Sequence, residues 1–329
     1  MSRIILFLLA TPVISSIGDN LPEFKSCLIN CDCDKISEYL FWTCDENCNY
    51  YCQQYITNLR VEKGLKIVQF YGKWPFKRLF GAQEFFATLF SFGNLLVNYN
   101  NFKKIYLQYK RNDNEYKILY QQYLILLGIS CIGWLFSILF HYKDTSLTET
   151  LDYFGAFAII LSNLNAITVR VFKFDKQKII IWQILLILLY LLHVVKLQIK
   201  WDYSYNMKIN IVVGISAMIL WIYHSLKVYK EYKKNYIIYN NSIQLLPYET
   251  KLLNKLNYLS ISNKWITLIP ILNNLILCIG ISLETNDFPP IARYIDAHSL
   301  WHFITIFPNL IWYDWNIWDI EMLKLTNKL

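Results

Sequence analysis

Apolar and polar residues follow one another along this chain in long blocks. After about residue 78 there are seven apolar stretches, each of about twenty residues, which is the length that an α-helix needs to cross a lipid bilayer. They cover residues 79–99, 119–140, 151–169, 179–196, 208–226, 265–283 and 297–316. The pattern predicts an all-α membrane protein whose main domain, residues 78–329, is a seven-transmembrane helix bundle.

The N-terminal residues have a different pattern. A short apolar run at residues 4–10 follows Arg3 and is followed by small residues that include Ser16 and Gly18. The run is too short to span a bilayer, and the pattern is typical of a secretory signal peptide. We therefore expect residues 1–18 to be a signal peptide and the mature chain to begin in the secretory lumen.

A dense group of cysteines follows the predicted signal peptide. Six of the eight cysteines in the chain lie there: Cys27, Cys31, Cys33, Cys44, Cys48 and Cys52. An even number of cysteines in this position is typical of a disulfide framework formed in an oxidising compartment, and six cysteines allow fifteen pairings. A structural zinc cluster is the alternative interpretation. We expect residues 19–77 to form a small, disulfide-rich luminal domain.

Basic residues are distributed unequally between the loops. One set of alternating loops carries sixteen Lys and Arg residues and the other set carries five. The richer loops lie at residues 103–117, 170–178 and 227–264. Because cytosolic loops carry such an excess, these loops are expected in the cytosol, in agreement with a luminal N-terminus. Lys73, Lys77 and Arg78, before the first stretch, depart from this rule. The net charge of +8 therefore indicates loops beside anionic lipid rather than a nucleic-acid surface.

Three of the five histidines lie at ends of apolar stretches on the predicted luminal side. His141 is near the end of the second stretch, and His298 and His302 are at the start of the seventh. Ser137 precedes His141 by one helical turn, and Asp152 opens the third stretch eleven residues after His141. Because imidazoles and carboxylates are costly near lipid, this set indicates chemistry rather than packing.

Three imidazoles are a ligand set of catalytic zinc, which keeps a fourth position open. Zinc in such a site activates water at neutral pH and polarises a carbonyl group. Asp152 would accept the proton of the water or orient a ligand, and Ser137 would donate to the developing oxyanion. Each residue alone also has a structural explanation, such as a bond between helices for Ser137 or a helix N-terminal carboxylate for Asp152. Taken together, the five residues favour a Zn²⁺-dependent hydrolase.

Other polar and aromatic positions within the stretches have simpler interpretations. Glu84 is ionisable and lies in the first stretch, so it is either a functional residue or a structural partner of Lys77 or Arg78. His193 and His224 are interpreted as packing residues or as hydrogen-bond partners inside the bundle. The aromatic residues at the far end of the last stretch are interpreted as an interfacial belt: Trp312, Tyr313, Trp315 and Trp318.

Several segments resemble a known family. The spacing Ser-x-x-x-His, an Asp eleven residues later and a late His-x-x-x-His is similar to that of a seven-helix zinc hydrolase superfamily, which includes the alkaline ceramidases and the adiponectin and progestin receptors. Within it, the Per-one-like family, also called post-GPI-attachment-to-proteins factor 3, resembles nearly the whole mature chain. The segments that carry the resemblance are Tyr-Gly-Lys-Trp-Pro-Phe at 71–76, Gln-Glu at 83–84, Asp-Phe-Pro-Pro at 287–290, and residues 140–144, 147–153, 202–206 and 296–302.

The resemblance implies a phospholipase A2-type enzyme that removes the sn-2 acyl chain from glycosylphosphatidylinositol (GPI) anchors attached to proteins. It assigns zinc binding to the three histidines and catalysis to Asp152 and Ser137. Glu84 and Asp296, which lie in segments that carry the resemblance, are candidates for a supporting or substrate-contacting role. The resemblance also implies a multi-pass protein of the endoplasmic reticulum or Golgi membrane, with GPI-anchored protein lipids as substrate and an active site that faces the lumen.

The chain departs from the family after Glu84, where the family has Pro-Ala-Ser and this chain has Phe-Phe-Ala-Thr at 85–88. Thr88 supplies a hydroxyl at this position. Two alternative functions remain. One is a ceramidase-like amide hydrolase with the same zinc chemistry, against which the cysteine-rich domain and the Gly-Lys-Trp-Pro-Phe segment argue. The other is a non-enzymatic membrane scaffold or receptor in which zinc is structural.

Overall fold

Helices make up nearly all of the regular structure in the computed structural model, which describes residues 16–32, 41–234, 247–256 and 263–328. Two helices precede the bundle, α1 (Pro22–Ile29) and α2 (Cys44–Glu62). The others are α3 (Phe85–Arg111), α4 (Asn114–Tyr142), α5 (Ser146–Phe172), α6 (Lys176–Ile199), α7 (Tyr203–Lys234), α8 (Pro247–Lys255), α9 (Ile269–Thr285) and α10 (Ala297–Lys328). Short 3₁₀ helices lie at Gly18–Asn20 and Asn263–Leu268. The predicted all-α fold is confirmed for the described residues.

Five helical segments are long and apolar enough to cross a membrane. They are α4, α5, α6, α7 and the segment Lys264–Thr285, which contains α9. They correspond to five of the seven predicted stretches, so the chain is a multi-pass membrane protein. The count of seven is not confirmed, because α3 and α10 carry buried polar side chains along their length, among them Asn94, Asn98, Asp314 and Asp319.

The first predicted stretch becomes helical later than expected. Helix α3 starts at Phe85, and two tight turns precede it. One turn is closed by backbone hydrogen bonds between Phe70 and Lys73, and the other by bonds between Leu79 and Ala82. Residues 79–84 therefore form a connection that enters the bundle rather than the first turns of a span.

The N-terminal cysteines form disulfides that join the two short helices. The described pairs are Cys27–Cys52 and Cys31–Cys48, which link α1, and the residues just after it, to α2. Cys44 is also disulfide-bonded, and Cys33 lies outside the described residues. The disulfide interpretation holds for these five cysteines, and the structural zinc cluster does not.

Residues 16–20 pack onto the N-terminal region. The Gly18 amide donates to the Gln69 carbonyl (2.9 Å), and the Ser16 hydroxyl donates to the same oxygen (2.8 Å). A Cβ atom on Gly18 would lie 2.5 Å from that oxygen, so only glycine fits there. The packed region thus includes residues upstream of the sequence-based boundary at residue 18.

The aromatic residues predicted to form an interfacial belt are buried instead: Trp312, Tyr313, Trp315 and Trp318. Helix α10 continues to Lys328, well beyond the predicted stretch, and turns these rings toward the bundle. The Trp315 indole donates to the Ile266 carbonyl (2.8 Å), and its ring contacts that of Trp221. The belt prediction is wrong because the far half of α10 is a packed core helix.

A buried ion cluster lies at the end of the bundle opposite to the start of α10. Arg170 donates to both carboxylate oxygens of Asp319, at 2.6 and 3.0 Å, and His224 Nε2 lies 3.1 Å from the same carboxylate. His193 packs on the Phe157 ring, with centroids 4.1 Å apart. Both histidines therefore have structural surroundings inside the bundle.

Candidate metal centre

Three histidines meet at one end of the bundle, which we call the histidine end. His141 lies in the last turn of α4, and His298 and His302 lie one turn apart at the start of α10. The Nε2 atoms of His141 and His298 are 3.3 Å apart, and that of His302 lies 3.1 Å from the first and 2.9 Å from the second. The fold therefore brings the three predicted ligands together.

Carboxylates hold two of these imidazoles from behind. Nδ1 of His141 lies 2.6 Å from Oε2 of Glu84, and Nδ1 of His298 lies 2.8 Å from Oε2 of Glu284. An ionised carboxylate only accepts hydrogen bonds, so each Nδ1 donates to its carboxylate, and the Nε2 atom of the neutral imidazole is then the one that can ligate a metal. Metal-ligating histidines are oriented in this way in many proteins.

The converging Nε2 atoms suit a cation. Two Nε2 atoms that both present a lone pair cannot hydrogen-bond to each other. The close approach of the Nε2 atoms of His141 and His298 is therefore repulsive unless a positive charge lies between them. Within the described parts of the chain, this is the group of ligating side chains whose atoms lie within 4.8 Å of one another. Three imidazole nitrogens are the donor set of catalytic Zn²⁺. The residues present therefore fit a zinc ion.

Ser137 and Asp152 lie beside the histidines on neighbouring helices. Ser137 is buried one turn before His141 in α4, and its Oγ lies 3.1 Å from that of Ser91 in α3. Asp152, in α5, hydrogen-bonds to the Ser137 side chain and lies within electrostatic range of His141 and His298. A hydroxyl and a carboxylate thus share one space with the three imidazoles.

Glu84 lies just before α3 and not within a span. Its carboxylate pairs with Lys73 (3.3 Å), so the predicted pairing with Lys77 or Arg78 is wrong. The reason is that the Glu84 amide donates to the carbonyl of His141 (3.0 Å), which turns the side chain inward to the end of α4. Glu84 therefore acts as a support for a histidine.

Lys73 pairs with two carboxylates, those of Glu84 and Asp144, and lies 2.8 Å from the second. Burial lowers the pKa of Lys73, but the two carboxylates outweigh burial and hold that pKa above its ordinary value. Burial raises the pKa of Glu84, but Lys73 and His141 outweigh it and hold that pKa well below its ordinary range. Both side chains are therefore charged at neutral pH.

Asp296 caps the helix that carries two of the histidines. Its Oδ1 accepts from the Ser299 amide (2.8 Å), and its own amide donates to the Ser299 hydroxyl (3.0 Å). Burial, and after it the Glu84 carboxylate, raise the pKa of Asp296 above its ordinary value. Asp296 thereby fixes the first turn of α10, where His298 lies.

The N-terminal region is joined to the connection between α9 and α10. The Asp287 carboxylate accepts from the Trp74 indole (2.7 Å) and from the Gln69 amide group (2.9 Å). The Lys77 amide donates to the Arg293 carbonyl (3.0 Å). Two segments that carry the family resemblance, Gly-Lys-Trp-Pro-Phe and Asp-Phe-Pro-Pro, therefore contact each other at the histidine end.

Sequence reasoning missed Glu284, Ser91 and the role of Lys73. Glu284 had a usable signal, because it is an ionisable residue at the end of an apolar stretch, fourteen residues before His298. Ser91 had none, since a serine within a helix usually bonds within its own bundle.

Comparison with known proteins gives consistent matches over almost the whole chain. The model of the Per1-like family matches residues 35–320. Protein PER1 of Saccharomyces cerevisiae is 34% identical over 344 aligned residues, which cover 93% of each chain. GPI-specific phospholipase A2-like PGAP3 of Xenopus laevis is 28% identical over 95% of this chain and 93% of its own length. The human protein of that name is 27% identical, with 93% and 90% covered.

Proposed function

Because this chain belongs to the Per1-like family, we propose that it is a Zn²⁺-dependent carboxylic ester hydrolase of GPI-anchor lipids. It cleaves the sn-2 acyl ester of a GPI-anchored protein and yields a lyso-GPI anchor and a free fatty acid. The names of the relatives support a role in GPI-anchor remodelling. The observation that carries the catalytic proposal is the convergence of three imidazoles beside Ser137 and Asp152.

Each residue of the site has a role in this reaction. His141, His298 and His302 hold the zinc ion, which supplies Lewis acidity and acidifies water when bound. Asp152 accepts the proton of the attacking water. The Ser137 hydroxyl, positioned by Ser91, donates to the oxyanion that develops as the ester carbonyl is attacked.

We also propose that α3 and α10 cross the membrane, which restores the count of seven. They contain 27 and 32 residues, more than the roughly twenty that a span needs. Some of their polar side chains bond across the bundle. Asn94 donates to the carbonyl of His302 (2.7 Å), and Asn101 donates to that of Asn309 (2.8 Å).

The histidine end is proposed to face the lumen of the endoplasmic reticulum or Golgi. The predicted signal peptide then ends before the packed residues 16–18, and the packed N-terminal region is a luminal domain. Support comes from the disulfides between the two N-terminal helices, because disulfides form in oxidising compartments. That region contacts the histidine end directly, since Lys143, just after α4, donates to the Phe41 carbonyl (2.7 Å).

The test is to incubate the purified full-length protein with a GPI-anchored protein, and to measure released fatty acid and lyso-anchor by mass spectrometry. Asp152→Asn is expected to lower the rate by roughly 10²–10⁴-fold, the usual contribution of a general base. Asp175→Asn is the matched control, because Asp175 is an exposed helix cap before α6.

Two results would overturn the proposal. If Asp152→Asn and His298→Ala fold and release fatty acid at the rate of the parent, the histidine cluster is not the catalytic centre. If ceramide is cleaved while the GPI anchor is not, the protein is an amide hydrolase.

A further inference from the structure

Six phenylalanine rings form a continuous row that runs from the turn before α3 along the seam between α3 and α10. This phenylalanine track consists of Phe80, Phe85, Phe86, Phe90, Phe303 and Phe307. Successive ring centroids along it are 5.0–5.9 Å apart, the separation of aromatic rings in contact. Phe303 and Phe307 are 39% and 43% exposed, so the track is open on its outer side.

The track begins at a strained turn. Phe80 has φ of +52° and Gly81 has φ of +79°, while Leu79 and Ala82 exchange both of their backbone hydrogen bonds. Turns of this kind favour Asn-Gly, because positive φ is unfavourable for a bulky side chain. The Trp42 indole fixes the turn by donating to the Gly81 carbonyl (2.9 Å). The Phe80 ring is nevertheless 87% exposed, so it is accessible to a molecule outside the chain.

The track lies on the outer side of α3 and α10, and the three histidines lie on the inner side at the same end of the bundle. Phe303 directly follows His302, and Phe85 directly follows Glu84, which orients another histidine. Asn94 joins α3 to α10 at this level through its bond to the His302 carbonyl. A long apolar molecule bound along the track is therefore separated from the imidazoles only by these two helices.

A basic residue lies close in the sequence to the exposed end of the track. Lys77 precedes Phe80 by three residues, and its ammonium group lies 5.7 Å from the centre of the Tyr294 ring. Lys77 forms no ion pair within the described residues. It is also one of the basic residues that depart from the loop-charge rule, and a lipid phosphate at this position would account for it.

We propose that the phenylalanine track is a docking groove for an acyl chain of a phosphatidylinositol-type lipid, with the lipid phosphate beside Lys77. The observations that favour this occupant are the apolar length of the track, the lysine three residues before its exposed end and its adjacency to the histidines. The inference rests on the proposed function in one respect, namely that the docked lipid is the substrate class.

The experiment uses the full-length protein in phosphatidylcholine nanodiscs that contain phosphatidylinositol with a photoactivatable diazirine in mid-chain. After illumination, labelled peptides are located by mass spectrometry. Peptides from residues 80–90 and 303–307 are expected to carry more label per exposed residue than peptides of α6, whose Leu188 and Leu192 are 50% and 68% exposed. Equal labelling of α6 would show ordinary surrounding lipid and would overturn the proposal.

Variants sharpen this comparison. Phe90→Ala combined with Phe303→Ala removes the pair that links the two helices, and Phe80→Ser changes only the exposed turn. Each is expected to lower labelling of the track roughly three- to tenfold, as the loss of one or two aromatic contacts allows. Phe92→Ala is the control, because Phe92 is 47% exposed on the same helix and lies outside the track. A fall of the same size in this control contradicts the groove.

The head group and the reaction are tested separately. Lys77→Gln is expected to reduce labelling by phosphatidylinositol but not by phosphatidylcholine with the same modified chain, and an equal loss with both lipids rules out the phosphate contact. Labelling needs no turnover. If the track is labelled while GPI-anchor hydrolysis is absent, docking holds and the hydrolase proposal fails. If hydrolysis proceeds while labelling of the track matches that of α6, the docking inference fails alone.

Discussion

The Nδ1 atom of His298 lies 2.8 Å from Oε2 of Glu284, at the point where the end of α9 meets the start of α10. Glu84 makes the corresponding contact with His141 from the turn before α3. Two carboxylates from unrelated segments thus fix the tautomer and the direction of two imidazoles before any ion binds. This preorganisation favours a metal site over a chance meeting of histidines.

Replacing Glu284 is expected to weaken zinc binding. Glu284→Gln keeps the size of the side chain but removes the charge that orients His298, and losses of this kind typically cost roughly 10–100-fold in metal affinity. Competition with a chromogenic chelator measures the change. Glu149→Gln is the control, because Glu149 accepts from the Tyr203 hydroxyl (2.6 Å) and not from a histidine. Equal affinities for the two variants would show that Glu284 does not position a ligand.

Removing Lys73 is expected to shift the acid limb of zinc retention to higher pH. The pKa of Glu84 lies below its ordinary value because Lys73 and His141 outweigh burial. The contribution of the Glu84 carboxylate to zinc binding is therefore fully present above the ordinary pKa, and it is lost as the pH falls through the lowered pKa. In Lys73→Met, Glu84 loses its main positive partner, its pKa rises, and it is protonated sooner on acidification. Zinc retained after equilibration across acidic pH measures the limb.

Lys143→Met is the control for Lys73→Met. Lys143 pairs with Glu46 (2.9 Å) at the same end of the bundle but does not contact Glu84. Its loss should leave the limb in place. A limb that moves equally in both variants, or moves to lower pH in Lys73→Met, contradicts the proposed role of Lys73.

The sequence was sufficient for the histidine cluster and five of the spans, because both follow from local spacing. Three histidines, with Ser137 one turn before the first, can be placed on helix faces without tertiary information. The carboxylate partners could not, because Glu84 meets His141 across 57 residues through a turn whose geometry depends on packing. The aromatic belt failed for a related reason. Hydropathy does not distinguish a Trp at the lipid surface from one inside the bundle, such as Trp318.

A side chain at Gly155 is expected to separate α4 from α5. A Cβ atom there would lie 3.0 Å from the Gly133 Cα and 3.3 Å from the Phe136 ring. Gly133 stands one turn before Ser137, and Gly155 one turn after Asp152, so widening the contact moves the hydroxyl away from the carboxylate. Gly155→Val should lower the rate of GPI-anchor hydrolysis by roughly 10²-fold, the cost of a displacement of about 1 Å.

Gly214→Ala is the control for this steric effect. The nearest atom to a Cβ at Gly214, on Ile160, would be 4.0 Å away, which is ordinary van der Waals contact. This variant should hydrolyse the anchor like the parent. If Gly155→Val also does so while remaining folded, the spacing of α4 and α5 does not control the site.

Removing the carboxylate at position 319 is expected to destabilise the protein without changing the site. Asp319→Asn leaves Arg170 buried without its counter-charge, and breaking a buried ion pair from one side costs about 3–5 kcal/mol. The melting temperature of the purified protein should therefore fall, whereas Asp175→Asn, at an exposed pair, should leave it unchanged. Asp319 lies 21 residues after His298 on α10, about 30 Å along the helix, so zinc affinity at low temperature should match that of the parent.

Replacing both partners, Arg170→Met with Asp319→Leu, should recover most of the lost stability, because no unpaired charge remains. A double variant as unstable as Asp319→Asn would contradict this account.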